Sequence, residues 1–412
     1  MKATSFIACI AILFALSLTS CNKDDSPEVI TKAKLSGYIQ KGPFLNGTSI
    51  TVAELNQDLS QTGKSFTSQI KDNEGTFELA NLQLSSPYLQ LKADGFYFNE
   101  VSGETSKSQI TLFALADVSN ISTLNVNVLS TLEKGRVEKL VADGLSFTEA
   151  KKKAMEEILA IFSLTKTDMQ SSEMLDINQP GDDNAILLAI SVVLQGYRSE
   201  AELSELLANM SADISPDGKL DSEALGTALI SHAKYLNTVQ IRANLVKRYN
   251  EIGATLQIPE FEKYMAQFIE KSSYKAVSLI TYPETVEGKL NLLNETNLIF
   301  PSGLGGPPPS VDPYSFLSAV TLKGMSLKIK LEYVAGGNPT MGYWYYRVED
   351  GTNWIASQYD MSKNSQVFTI IESGKPGNLK LLFPEGNGVK IRIFYFENND
   401  LVATKSRIVT IN

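Results

Sequence analysis

The chain has 412 residues, 43% of them hydrophobic, with 37 basic against 46 acidic side chains and a formal net charge of −9. That length fits about two to four domains. The acidic balance, without a strong basic cluster, excludes a nucleic-acid partner, because neutralising phosphates needs a positive surface.

Lys2 is the only charge in the first twenty residues, and an apolar run follows over 6–16. The run is shorter than the roughly 20 residues a bilayer crossing needs, and its flanks fit a secretory signal. It ends in Leu18-Thr19-Ser20-Cys21, which resembles a bacterial lipobox. The resemblance implies removal of residues 1–20 and lipid attachment at Cys21. The two cysteines are Cys9 and Cys21. One leaves with the signal and the other takes the lipid, so neither a disulfide nor a free thiol is expected. Acyl chains at about 0.8 kcal/mol per buried CH2 anchor stably once two are present. Residues 21–33, with Asp24, Asp25 and Glu28, read as a solvated acidic tether. The tether resembles the signal that sends Bacteroidota lipoproteins to the outer face of the outer membrane.

Residues 34–116 read as β. Short runs at 35–39, 49–52, 76–79, 88–91 and 109–112 are separated by Gly, Pro, Asn and Asp, the spacing of a small sandwich. Asp72-Asn73-Glu74-Gly75 is a turn leading into a strand. Gly47-Thr48-Ser49-Ile50-Thr51-Val52 and Asp72-Asn73-Glu74-Gly75-Thr76-Phe77 resemble the carboxypeptidase regulatory-like, or transthyretin-like, domain. That likeness implies a fold and no activity.

From 117 to 275 the apolar period changes to about 3.6 and predicts an all-α domain of about five to seven helices. Ser146 and Glu149 form a capping box ahead of Ala150, Ala154, Met155, Ile158, Leu159 and Phe162 on one face. Asp182 and Asp183 are placed to cap an apolar helix over 185–194. Ser199 and Glu202 form a second box, followed by Leu203, Leu206 and Leu207. Leu225, Leu229, His232, Leu236, Val239 and Ala243 make one continuous stripe at helical spacing. Pro259 suits a first helical position before Phe261, Tyr264, Met265 and Phe268.

Residues 276–311, rich in Gly and Pro towards the end, read as a linker. Alternation returns over 312–412, as in Met325, Leu327, Ile329, Leu331 and Tyr333. About seven such segments suggest an immunoglobulin-like β-sandwich without its disulfide. The expected fold class is therefore multidomain α+β: transthyretin-like sandwich, helical domain, immunoglobulin-like sandwich. That order resembles surface lipoproteins of Bacteroidota. The stretches that carry the resemblance are residues 37–44 (GYIQKGPF), 95–101 (GFYFNEV) and 125–132 (NVNVLSTL).

Chemistry-bearing patterns are sparse. His232, the only histidine, lies on an apolar stripe and reads as a packed core residue. No Gly-x-Ser-x-Gly elbow, phosphate-cradling loop or dinucleotide fingerprint occurs. Asp213, Ser215, Asp217 and Asp221 fall at positions 1, 3, 5 and 9 of an EF-hand-like loop, with Gly218 at position 6. Position 12 is Ala224, where calcium needs a bidentate Glu. The segment reads first as a helix–loop–helix turn with Ser222 as cap, and second as a Ca2+ site. Tyr343, Trp344, Tyr345 and Tyr346 alternate along one strand, with Trp354 nearby. Period-two geometry puts Tyr343 and Tyr345 on one face. Core packing is the first reading for these rings; a glycan platform of Tyr343, Tyr345 and Trp354 is the second.

The expected function is that of an outer-membrane surface lipoprotein, held by lipid on Cys21. It is expected to bind or scaffold extracellular glycan or protein, without catalysis or cofactor. The rival is a hydrolase working through two carboxylates across a cleft, a geometry set by folding and silent in sequence.

Overall fold

The computed structural model describes residues 29–254 and 257–277, Leu279, and the backbone of strands between Leu298 and Ile411. The lipobox and residues 21–28 of the expected tether lie outside the described residues; residues 30–33 of that tether are instead the start of a strand, Ile30–Gln40, paired antiparallel with Thr76–Leu84.

The β region begins with β1 (Ile30–Gln40), β2 (Ser49–Leu55), β3 (Gln61–Gln69), β4 (Thr76–Leu84) and β5 (Tyr88–Gly95). It continues through β6 (Phe98–Asn99), β7 (Glu104–Thr105), β8 (Ile110–Asp117) and β9 (Val126–Asn127). One sheet has the order β4-β1-β9, a second β3-β2-β5-β8, and β6 pairs with β7. Alternation builds the second sheet: Leu89, Leu91 and Ala93 of β5 and Leu112, Ala114 and Ala116 of β8 are all buried. All five expected strands are present. β3 adds a polar one, with Phe66 its only large apolar residue, and forms by pairing at the sheet edge on β2.

Two glycines decide local geometry. In the 72–76 turn, Asp72 Oδ1 accepts the N–H groups of Glu74, Gly75 and Thr76 at 2.9, 3.0 and 3.1 Å, while Gly75 adopts φ +86°. A Cβ on Gly37 would meet the Leu124 carbonyl oxygen at 1.9 Å. Gly37 therefore lets the 121–127 segment lie against β1, where β9 adds to it in parallel.

Seven α-helices follow among the described residues. They are α1 (Val128–Ala142), α2 (Phe147–Ile161), α3 (Asp182–Gln195), α4 (Glu200–Ile214), α5 (Glu223–Tyr235), α6 (Thr238–Glu251) and α7 (Glu262–Lys271). The capping boxes at Ser146 and Ser199 are both formed. Asn127 and Ser130 make a third at the start of α1. Every residue of α3 from Ala185 to Gln195 is buried, the mark of a central helix. No helix among the described residues is long and apolar enough to cross a membrane.

Three local expectations need correcting. The stripe from Leu225 to Ala243 is not one helix. Its chain turns extended at Leu236, and Asn237 caps α6 by accepting the Gln240 N–H at 3.1 Å. Val239 is then 78% exposed, and α6 buries Ile241, Leu245 and Tyr249 instead. Gly181, not Asp182 or Asp183, is the cap residue of α3; the two aspartates lie in its first turn and pair with Lys263 and Lys166. Pro259 precedes α7, which starts at Glu262, and its carbonyl accepts from Arg242 at 2.9 Å.

Buried side chains of both regions, from Leu35 and Leu91 through Leu132 and Ile190 to Phe268, form one contiguous core. The change from β to α near residue 127 is thus a change of layer within a shared interior.

Beyond the helices, backbone strands are β10 (Leu298–Phe300), β11 (Ser315–Val320), β12 (Ser326–Ala335), β13 (Tyr343–Val348) and β14 (Ile355–Gln358). They are followed by β15 (Ser365–Glu372), β16 (Pro376–Leu382), β17 (Val389–Glu397) and β18 (Lys405–Ile411). They pair as β10-β18-β17-β12-β15 and as β11-β16-β13-β14. The side chains of Tyr343, Trp344, Tyr345, Tyr346 and Trp354 lie outside the described residues.

Candidate functional site

The stretches 37–44, 95–101 and 125–132 converge where β layers meet helices. Lys41, at the end of β1, donates to Glu100 Oε1 at 2.6 Å, and both side chains are fully buried. Glu100 belongs to the β6–β7 turn. The Asn244 side chain of α6 holds this turn by donating to the Glu100 carbonyl at 3.0 Å. Ser191 of α3 places its hydroxyl 3.2 Å from Glu100 Oε1 and 3.3 Å from the Lys41 carbonyl. The Tyr97 ring lies 5.4 Å from Lys41 Nζ, and its hydroxyl donates to Gln195 Oε1 at 2.8 Å. Gln40 donates to Asp176 at 2.7 Å. Asn125 and Asn127 donate to the Leu175 and Ser172 carbonyls at 2.9 and 2.7 Å. Buried polar groups need such partners, and here they stitch the two layers together.

A second charged cluster joins α1 to α2. Lys151 Nζ bonds Glu133 Oε1 and lies 2.7 Å from Glu173 Oε2. Ser172 Oγ accepts from Lys151 at 3.0 Å and donates to Glu133. Glu133 is 1% exposed, and its Oε2 has no hydrogen-bond partner. Burial raises the Glu133 pKa, the Glu173 charge adds to that, and Lys151 opposes it. Burial pulls Lys151 down, but the two carboxylates outweigh it and hold the ammonium above its usual range. A cavity of about 440 Å³ opens onto this cluster, lined also by Phe147, Met155, Lys166 and Met169. Sequence reasoning missed the cluster. A signal was available: Lys151 sits three and four residues before Ala154 and Met155, on the apolar face.

Two further grooves are open to solvent. One of about 730 Å³ runs along β1 and β4, past Lys34, Tyr38, Lys71 and Glu78. Another of about 640 Å³ lies between the β6–β7 turn and the starts of α4 and α6, lined by Asn99, Lys107, Gln240 and Asn244.

The residues singled out from sequence have defined places. His232 is half-buried; its Nδ1 accepts the Tyr197 N–H at 2.9 Å. Burial, reinforced by the neighbouring Arg198 charge, pushes its pKa down to about 3, so the imidazole is neutral. Arg198 caps the end of α3 by donating to the Leu194 carbonyl at 3.0 Å. In the 213–221 loop, Asp213 accepts the Ser222 N–H, Ser215 donates to the Gly135 carbonyl, and Asp217 accepts the Lys219 N–H. The Ser215 and Pro216 carbonyls accept from Arg136 at 3.2 and 2.8 Å, while its guanidinium also grips Glu157. Arg136 of α1 thus ties two of the loop's carbonyls to Glu157. Among the described residues, no group of three or more His, Cys, Asp or Glu is placed to hold a metal ion.

No protein-family model matches the chain, and no curated protein matches it.

Proposed function

We propose that this is a surface lipoprotein, anchored in the outer membrane through acylated Cys21, that binds or scaffolds extracellular glycan or protein without catalysis. In this reading residues 34–116 are a carboxypeptidase regulatory-like sandwich, and 312–412 an immunoglobulin-like one. Tyr343, Tyr345 and Trp354 are its first candidates for ligand contact. The observation that carries the reading is the internal engagement of the buried carboxylates. Glu100 is taken by Lys41, and Glu133 and Glu173 share Lys151. Carboxylates tied to a lysine in the core serve cohesion of the fold.

The hydrolase reading is kept by one observation, the 440 Å³ cavity that Glu133 and Glu173 line together. A screen of soluble residues 31–412 against glycans and extracellular proteins separates the two. Binding that survives Glu133→Gln supports the scaffold reading. Turnover of any bound glycan, abolished by Glu133→Gln, supports the rival. Anchoring has its own test: Cys21→Ala should lose detergent partitioning, and wild-type partitioning by that variant contradicts the lipid anchor. Protease added to intact cells should trim the wild-type protein; full protection until lysis would place it in the periplasm.

A further inference from the structure

The Lys41–Glu100 contact has features that an ordinary ion pair leaves unexplained. Both side chains are 0% exposed, so each charge bears its full desolvation penalty. Glu100 Oε2 is buried with no hydrogen-bond partner, which a carboxylate bears at high cost. The amine faces an aromatic ring, that of Tyr97, and has Glu100 as its only ion-pair partner among the described residues.

We propose that Lys41 and Glu100 condense into an intramolecular amide, joining Nζ to Cδ with release of one water. The proton that Nζ shares with Oε1 across 2.6 Å passes to the carboxylate, leaving a neutral amine and a carboxylic acid. The Nζ lone pair then attacks Cδ. The C–N bond forms and the Cδ–Oε2 bond breaks. In the tetrahedral adduct the acid's proton moves from Oε1 to Oε2, and Oε2 leaves as water with that proton and one of the two amine protons while Oε1 re-forms the carbonyl. Oε1 remains as the amide carbonyl, accepting from the Ser191 hydroxyl, which also polarises the acyl group during attack. No oxidant, reductant or activating co-reactant is needed.

The surroundings favour each step. Burial pulls the Lys41 ammonium below its usual range, against the attraction of Glu100, and so favours the free amine. The fold holds the reacting groups in contact, replacing a bimolecular encounter with a unimolecular one. The product has no buried charge, and the unpartnered oxygen is gone. Expelling water from an apolar interior into solvent drives the condensation forward, whereas in bulk water hydrolysis would win. The amide would tie the end of β1 to the β6–β7 turn across 59 positions, in a chain whose two cysteines give no disulfide once Cys9 leaves with the signal.

The test is mass spectrometry of the full mature chain, denatured and reduced. The wild-type protein should be one water lighter than its sequence demands. Trypsin should leave residues 35–64 joined to residues 93–107, because an acylated Lys41 resists cleavage. Lys41→Met and Glu100→Ala should each restore the full mass. Full mass in the wild type, with 35–41 and 93–107 recovered as separate peptides, overturns the proposal. A deficit that persists in both variants places the water loss elsewhere and overturns it equally. Misfolding of a variant does not blur the outcome, since an amide formed in the wild type survives denaturation.

Discussion

Two charged clusters lie in the same interior and meet its low dielectric differently. Lys41 and Glu100 are matched one to one and sealed from solvent. Glu133, Lys151 and Glu173 put two carboxylates on one ammonium beneath an open cavity. The first site balances its charge; the second carries one negative charge too many and can relieve it by taking up a proton. The sealed site should therefore behave as a fixed structural joint, and the open one as a joint whose strength follows pH.

The largest expected effect is at the sealed site. Lys41→Ala should destabilise the fold by about 3–5 kcal/mol, because Glu100 is left buried without its partner. Urea unfolding measures this, and a loss below about 1 kcal/mol would contradict the sealed-joint description. Lys151→Met should cost about 3 kcal/mol at neutral pH, by the same reasoning. Here the loss should shrink on acidification, as Glu133, whose pKa burial raises, takes up a proton. A loss independent of pH would make the two sites alike and break the comparison.

Acid sharpens the contrast through His232. Its folded pKa of about 3 lies below the ordinary 6.5. The stability it contributes is therefore present above pH 6.5 and lost as pH falls towards 3, by up to a few kcal/mol. His232→Leu should flatten that acid limb. It should also cost about 1–3 kcal/mol at neutral pH, because the Tyr197 N–H loses its acceptor. An apolar-stripe reading of His232 predicts tolerance or a gain instead, so thermal melts of this variant at pH 7 and pH 4 decide between them.

The smallest effect should come from Glu133→Gln. Its folded pKa is raised above the ordinary 4.5, so its contribution is full below pH 4.5 and lost as pH rises through the folded value. The amide removes the surplus charge and keeps the shape. The melting temperature should move by only a few degrees, while the fall of stability with pH above 4.5 becomes shallower. An unchanged slope would show that Glu133 carries no proton in the folded protein.

Much of this architecture could be read from the chain. Period-two runs marked the core strands because one face of each is buried, and Ser146 and Ser199 marked two helix starts through their glutamate partners. β3 was hidden because an edge strand needs little apolar content. The α5–α6 break was hidden because Leu225, His232, Leu236 and Val239 keep helical spacing through a chain that is not helical at Leu236. The Lys41–Glu100 site was illegible for a different reason. Lys41 and Glu100 lie 59 positions apart, and nothing local distinguishes them from surface charges. Topology buries them, and only the fold brings the 37–44 and 95–101 stretches together.

The central claim is that β1, the β6–β7 turn and α3 form one cooperative body joined at Lys41, Glu100 and Ser191. Native-state hydrogen exchange of the full chain against rising denaturant tests it most directly. Amides of Leu35 to Ile39 in β1 and of Ile186 to Leu194 in α3 should merge into one opening with a common free energy in the wild type. If α3 exchanges through its own opening while β1 stays protected, the β and helical regions are separate units and the claim fails.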